Sequence, residues 1–145
     1  MPIRTRKKAV YTVLSVDDDE EDQFMLGRIF TAHCPDCRVT FVSNGANLLT
    51  YLATAGPLPA LILLDLNMPI MNGFETLAAL KSQPLYRPIP VVILTTSHEP
   101  SDVLRCYDLG ANAFQQKPDR YDDLVQLIQA TCAYWLQNAL IPAAV

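Results

Sequence analysis

Short apolar runs alternate with stretches of helix-like spacing along most of the chain. Five runs have the length of β-strands: 13–16, 38–42, 61–64, 90–94 and 113–115. Five stretches place apolar residues three or four apart, as amphipathic helices do: 26–33, 46–55, 74–81, 102–109 and 121–137. The runs at 61–64 and 90–94 lack polar positions, which is typical of parallel strands buried on both faces. The pattern therefore predicts five β–α pairs in succession.

Strict alternation of strands and helices predicts a single α/β domain of the doubly wound (βα)5 type, with a five-stranded parallel sheet covered on both faces. We expect this domain at residues 10–138, between a basic arm at 1–9 and a C-terminal tail at 139–145. Gly110 follows the fourth helix at the position where a glycine often ends a helix. With 145 residues, the chain has room for one such domain and for no second one.

The charge distribution excludes some classes of binding partner. The chain has 11 Lys and Arg against 15 Asp and Glu, and four of the positive residues lie within the first eight. The folded part is therefore acidic, which argues against a nucleic-acid partner. No apolar run approaches the roughly 20 residues of a membrane-spanning helix, and the N-terminus lacks a secretory cleavage pattern. We expect a cytoplasmic protein with no membrane partner.

Polar side chains collect where the predicted strands end. Six acidic residues at 17–22 follow the first strand, Asp65 follows the third, Thr95 follows the fourth and Lys117 follows the fifth. In doubly wound folds ligands bind at this edge of the sheet. Crowded carboxylates repel one another unless a cation joins them, and oxygen ligands without His or Cys favour Mg²⁺. Because a lysine there suits phosphate, the set predicts a site that stabilises a phosphoryl group in transfer.

The residues around these strand ends form four short motifs. They are Val16-Asp17-Asp18, Leu64-Asp65-Leu66-Asn67-Met68-Pro69 with Gly73, Leu94-Thr95-Thr96-Ser97, and Gly110-Ala111-Asn112-Ala113-Phe114 with Lys117-Pro118. With these motifs in this order, the chain resembles the receiver domain of two-component response regulators from Val10 to Gln137. The resemblance implies a flavodoxin-like strand order, 2-1-3-4-5. It also implies a signalling protein whose only catalysis is its own phosphorylation and dephosphorylation.

In that family, the aspartate at the position of Asp65 accepts the phosphoryl group and becomes an acyl phosphate. The resemblance implies that Asp65 and Asp18 bind Mg²⁺ directly, Asp17 through water, and Asn67 through its backbone carbonyl. The residues alone leave another metal pair open, Asp18 and Asp19, because a strand end can shift by one residue. Asp19 is also the best candidate among these aspartates for a helix N-cap.

The resemblance assigns three further roles at the site. Lys117 pairs with a phosphoryl oxygen, Thr95 turns its hydroxyl towards another, and Phe114 moves inward together with Thr95. A cis peptide bond is implied before Pro118. The residues alone also allow Thr95 to be an ordinary β-branched strand residue and Phe114 to be an ordinary core aromatic.

The Cys34–Cys37 pair has the spacing of a redox or zinc motif. Redox pairs of this kind open a helix, whereas this pair closes one. Cys106 and Cys132 are isolated in the sequence, so a four-ligand zinc site would need His33 or a second chain. We expect structural thiols, with an intersubunit metal site or disulfide as the alternative.

The last predicted helix has a wide apolar face. Its core stripe consists of Tyr121, Leu124, Val125, Ile128, Cys132 and Trp135, and a second stripe beside it consists of Leu127, Thr131 and Tyr134. A face this wide often covers an interface, although Tyr134 can instead fold back against the domain. The chain is also similar to the cyanobacterial phytochrome response-regulator branch, single-domain receivers that pair through the fourth helix, fifth strand and fifth helix.

The resemblance therefore implies a single-domain regulator that a sensor histidine kinase phosphorylates, with a phytochrome-type kinase as one candidate. A histidine phosphotransfer protein is a further possible partner, and the fourth helix, fifth strand and fifth helix form the expected homodimer face. One alternative is an interaction module that works without phosphorylation. A flavin carrier of the same architecture is disfavoured, because the six acids after the first strand would repel a flavin phosphate.

Overall fold

The computed structural model describes residues 10–54 and 56–141 and contains one sheet of five parallel strands. The strands are β1 Tyr11–Val16, β2 Cys37–Val42, β3 Leu61–Leu64, β4 Val91–Thr95 and β5 Ala113–Gln116. Their order is β2-β1-β3-β4-β5, so the predicted doubly wound fold and its strand order are confirmed. The register sets Val16 of β1 beside Leu64 of β3. The residues that follow, Asp17 and Asp65, therefore leave the sheet at the same edge.

The helices alternate with the strands as predicted. They are α1 Glu20–His33, α2 Gly45–Thr54, α3 Gly73–Ser82, α4 Pro100–Asp108 and α5 Tyr121–Cys132. The last helical stretch extends to about residue 137 as predicted, but its final part, Ala133–Asn138, is a wider π-helical turn. The closing hydrogen bond runs from Ala139 N to Tyr134 O over 2.7 Å. The wider turn shifts the buried face by one residue, so Leu136 is buried and Trp135 only half-buried.

Two apolar cores lie on the two faces of the sheet. Leu61 and Leu63 of β3 pack towards α1 and α5, whereas Ile62 and Leu64 pack towards α2, α3 and α4. All four side chains are essentially inaccessible to solvent. This two-sided burial explains the continuous apolar run in the sequence.

Two residues predicted on buried helix stripes are exposed instead. His33 is the last residue of α1, and Tyr121 is the first residue of α5. Both residues continue the spacing of the apolar positions of their helix. They lie at its end, however, where no neighbouring helix or strand within the described residues covers the side chain. Stripe positions at helix ends are therefore weaker predictors of burial than positions inside a helix.

Three of the four cysteines meet on the side of the sheet covered by α1 and α5. Cys34 follows α1, Cys37 begins β2 and Cys132 ends α5, and all three line one cavity. The interpretation of Cys132 as isolated is therefore wrong, because α1 and α5 pack against each other and bring their C-terminal ends together. Cys106 lies in the core on the opposite face of the sheet.

Two helix ends follow the capping signals in the sequence. The Asp19 carboxylate accepts hydrogen bonds from Glu21 N at 2.9 Å and Asp22 N at 3.2 Å, which confirms Asp19 as the N-cap of α1. After α4, the N–H of Gly110 donates to the carbonyl of Tyr107, and the chain turns with a φ of 104°. The glycine predicted at this helix end is therefore confirmed, since an L side chain rarely adopts such a φ.

Replacing Gly110 with alanine is expected to lower the free energy of unfolding by about 1–3 kcal/mol. The positive φ would strain the backbone, and the new Cβ would come within 3.0 Å of Lys81 Cγ. Urea unfolding of the wild type, Gly110→Ala and Gly110→Asn would measure the effect. Asparagine tolerates positive φ better than alanine, so Gly110→Asn should lower the free energy of unfolding by less than Gly110→Ala. Equal losses for both variants would contradict the role of the backbone conformation.

The predicted basic arm, 1–9, and the last four residues of the predicted tail lie outside the described residues. Within 10–54 and 56–141, no helix combines the length and the apolar character needed to cross a membrane.

Candidate functional site

Three aspartates converge at the carboxyl edge of the central strands. Asp17 and Asp18 follow β1, Asp65 follows β3, and one carboxylate oxygen of each lies within 4.8 Å of the other two. The Asp65 N–H donates to the Val16 carbonyl at 3.0 Å, which continues the β1–β3 ladder into the site. Asp17 and Asp65 are buried, 2% and 9% exposed, whereas Asp18 is exposed. The cluster is thus open to solvent on the Asp18 side.

Lys117 reaches the same cluster from the end of β5. Its ammonium lies 2.7 Å from Asp17 Oδ2 and 2.8 Å from Asp22 Oδ2. The backbone N–H of Lys117 donates to the Thr95 carbonyl at 2.7 Å, and this hydrogen bond connects the loop after β5 to the end of β4. The Lys117 side chain is only 10% exposed, so its charge acts largely away from solvent.

The charges at this edge are not balanced by Lys117 alone. Burial raises the pKa of Asp17, and the hydrogen bond from Lys117 offsets only part of this rise. Burial also raises the pKa of Asp65, against the attraction of Lys117 and with a further upward contribution from Asp17. Burial alone would lower the pKa of Lys117, but its hydrogen bonds to Asp17 and Asp22 outweigh burial and raise it. The aspartates therefore still favour an additional cation.

Three other predicted site residues, Thr95, Phe114 and Asn67, differ in their burial. Thr95 is fully buried at the end of β4, and its hydroxyl is near enough to the Asp65 carboxyl group to oppose part of the rise in the pKa of Asp65. Phe114 is half-buried in β5 and packs against the core beneath α3 and α4. Asn67 is exposed, two residues after Asp65. Thr96, the neighbour of Thr95, is exposed as well.

Comparison with known proteins agrees with this geometry. The family model of the response regulator receiver domain matches residues 13–129. The chain belongs to this family. Response regulator Rcp1 of Synechocystis sp. is 34% identical to this receiver over 137 residues, which cover 91% of this chain and 93% of Rcp1.

Solved structures of response regulators superpose on nearly the whole receiver. The phosphorylated cyanobacterial phytochrome response regulator RcpA has a TM-score of 0.86 and 33% identity, covering 93% of this chain and 100% of RcpA. The Mn²⁺-bound form of Rcp1 has a TM-score of 0.82 and 33% identity, covering 92% of this chain and 99% of Rcp1. The receiver fold is thus shared with proteins whose phosphorylated and metal-bound forms have been solved.

Two features of this receiver were not predicted from the sequence. Asp22 binds Lys117, although its position in the first turn of α1 suggested only a contribution to the helix end. Tyr107 of α4 accepts a hydrogen bond from Phe114 N at 3.2 Å through its hydroxyl. The position of Asp22 within the acidic run at 17–22 was the available signal for the first, and nothing local in the sequence indicated the second.

One expectation from the resemblance is not met. The peptide bond before Pro118 is trans, whereas the resemblance implied a cis bond. The trans form is the lower-energy form of peptide bonds that precede proline.

Proposed function

We propose that Asp65 accepts a phosphoryl group from a sensor histidine kinase in a Mg²⁺-dependent reaction. The observation that carries the proposal is the convergence of Asp17, Asp18 and Asp65 with Lys117 at one edge of the sheet. A carboxylate nucleophile, a metal-binding carboxylate pair and a buried ammonium are the groups that phosphoryl transfer requires.

The donor set fits a hard divalent cation. The three aspartates offer oxygen atoms only, and burial raises the pKa values of Asp17 and Asp65, whose charged forms a bound cation would stabilise. We propose that Asp17, Asp18, Asp65 and the Asn67 carbonyl hold Mg²⁺, which when bound offsets the charge of the phosphoryl oxygens. The Mn²⁺-bound structure of Rcp1 supports a metal of this class.

The side chains divide the remaining chemistry. An Asp65 oxygen attacks phosphorus, the bond from phosphorus to the kinase imidazole breaks, and the imidazole nitrogen takes up a proton. Lys117 stabilises the charge on a phosphoryl oxygen from a position that its ion pair with Asp17 already holds. Thr95 directs its hydroxyl to a second oxygen, since it is buried at the end of β4 close to the Asp65 carboxyl group.

Phosphorylation then changes the face formed by α4, β5 and α5. The hydrogen bond from Phe114 N to Tyr107 links β5 to α4, and the one from Gln115 Nε2 to Thr131 Oγ1, at 2.9 Å, links β5 to α5. A shift of Thr95 and Phe114 therefore reaches both helices. Large aromatic or aliphatic side chains are exposed on α4, Leu104 and Tyr107, and in the π-helical turn after α5, Tyr134. We propose that this face binds a second copy of the chain or another partner, depending on phosphorylation.

The proposed donor is a phytochrome-type histidine kinase, because RcpA is described as a phytochrome response regulator. A histidine phosphotransfer protein can serve as a second partner through the same aspartate. We place these reactions in the cytoplasm, where phosphoryl groups from ATP enter such pathways.

Incubation with Mg²⁺ and acetyl phosphate should add one phosphoryl group to the wild type, measured by intact-protein mass spectrometry. Asp65→Asn should show no adduct, because an amide oxygen is a poor nucleophile. The control Asp123→Asn, an exposed residue of α5, should behave as the wild type. Size-exclusion chromatography of the same samples would show whether the adduct changes assembly.

An adduct on Asp65→Asn would contradict the assignment of the acceptor. Failure of folded wild type to form an adduct with either acetyl phosphate or a histidine kinase would favour the alternative, an interaction module that works without phosphorylation.

A further inference from the structure

A cavity of about 180 Å³ lies between the end of α1, the start of β2 and the end of α5, and three free thiols line it. Cys34 and Cys132 are buried, whereas Cys37 is half-buried. Cys37 begins β2, so the cavity is at the opposite edge of the sheet from Asp65. The thiols are therefore separate from the proposed phosphorylation site.

Within this cavity, Cys37 and Cys132 form an unequal pair. A hydrogen bond from the Cys132 thiol lowers the pKa of Cys37, and this effect outweighs burial and the nearby Asp36 carboxylate. The same hydrogen bond, together with burial, raises the pKa of Cys132, which therefore keeps its proton. Cys34 is the third thiol, and burial raises its pKa. A half-buried thiol with a lowered pKa beside a protonated second thiol, both lining one cavity, is the arrangement found in oxidation-sensitive pairs.

We propose that Cys37 is a site of oxidation by hydroperoxides and that Cys132 resolves it into a disulfide between β2 and α5. The Cys37 thiolate attacks the outer peroxide oxygen, the O–O bond breaks, and the leaving oxygen takes up a proton. Cys37 is then a sulfenic acid. The Cys132 sulfur attacks the Cys37 sulfur, and hydroxide leaves with the Cys132 proton as water. Two thiols thus lose two electrons, and the peroxide gains them.

The disulfide would join β2 to the residue after which α5 widens into the π-helical turn. Trp135, the single tryptophan of the chain, lies in this turn and packs against the same core. Its fluorescence therefore reports on the change without any label.

The test treats the reduced full chain with hydrogen peroxide, blocks remaining thiols by alkylation and maps the peptides without reduction. Trypsin places Cys34 and Cys37 together in peptide 29–38 and Cys132 in peptide 121–145. We expect a cross-link between these peptides, reversed by dithiothreitol, in the wild type and in Cys34→Ser. It should be absent from Cys37→Ser and from Cys132→Ala.

The matched control is Cys106→Ser, since burial raises the pKa of Cys106 to about 11 and this thiol lies in the other core. It should cross-link as the wild type does. Without any substitution, alkylation of Cys37 in the reduced wild type should be at least about tenfold faster than that of Cys106. This rate keeps the test independent of how well the variants fold.

Three outcomes would overturn the proposal. They are a cross-link that persists in Cys37→Ser, a disulfide confined to peptide 29–38, and a stoichiometric metal ion on these thiols in the purified protein. A Trp135 fluorescence change of equal size in wild type and Cys37→Ser would also count against it, because it would not arise from the disulfide.

Discussion

Replacing Lys117 with methionine is expected to slow phosphorylation of Asp65 by at least about 100-fold, the usual effect of removing one preorganised charge from a reacting centre. Lys117 is held 2.7 Å from Asp17, so its ammonium is in place before the phosphoryl group arrives. Methionine keeps most of the side-chain volume and removes the charge together with its hydrogen-bond donors. The initial rate of adduct formation with acetyl phosphate and saturating Mg²⁺ measures this loss.

The same substitution should lower the free energy of unfolding at pH 7 by about 3 kcal/mol, because it leaves Asp17 buried without its cation. Loss of Lys117 raises the pKa of Asp17 further above its unfolded value. Such a group favours the folded state only while it is protonated, so the stability that it supplies is lost as pH rises through its folded pKa. The difference in free energy of unfolding between wild type and Lys117→Met should therefore shrink when urea unfolding is measured at pH values that fall from 7 towards that pKa.

Lys81→Met is the matched control for this prediction. Lys81 is half-buried, and its ammonium donates to the carbonyls of Arg87 and Ile89 and to Asn112 rather than to the aspartates of the site. Its loss should cost stability and leave the rate of phosphorylation within a few-fold of wild type. Equal loss of rate in both variants would show that Lys117 acts through general stability.

The cluster at the strand ends was predictable from the sequence because parallel strands all end at the same edge of the sheet. The apolar runs that end at Val16 and Leu64 become neighbouring strands, and Asp17 and Asp65 then have to leave the same edge. No side-chain rotation can separate them by much. This geometry explains why motifs far apart in the chain identified the aspartate cluster and Lys117 together.

Contacts between helix side chains were harder to predict, because they depend on how each helix rotates and where it ends. Asp22 turns towards Lys117 although its spacing from Asp19 equally suits a helix cap. Cys132 meets Cys37 only because α1 and α5 end at the same level. One extra residue in the turn after Cys132 replaces Trp135 by Leu136 in the core, and no regular helical repeat predicts this change.

Replacing Gly73 with alanine is expected to lower the free energy of unfolding by about 3 kcal/mol, at the upper end for an added methyl group, because only backbone surrounds it. A Cβ at Gly73 would lie 2.3 Å from the Asp65 carbonyl oxygen and 2.6 Å from Leu66 Cα. The Gly73 N–H also donates to the Leu66 carbonyl at 2.9 Å, which holds the start of α3 against this loop. The methyl group therefore has to displace the backbone that carries the phosphoacceptor.

Gly27→Ala provides the matched control, since it also adds one methyl group, but at a position without close backbone contacts. Gly27 lies inside α1, and a Cβ there would meet only the Phe41 ring at an ordinary 3.5 Å. Alanine is the better helix former, so this variant should gain about 0.5–1 kcal/mol. Urea unfolding should move the two variants in opposite directions, and only Gly73→Ala should change the rate of adduct formation. If Gly73→Ala matched Gly27→Ala in both measurements, the close approach of α3 to the Asp65 loop would not matter to stability or phosphorylation.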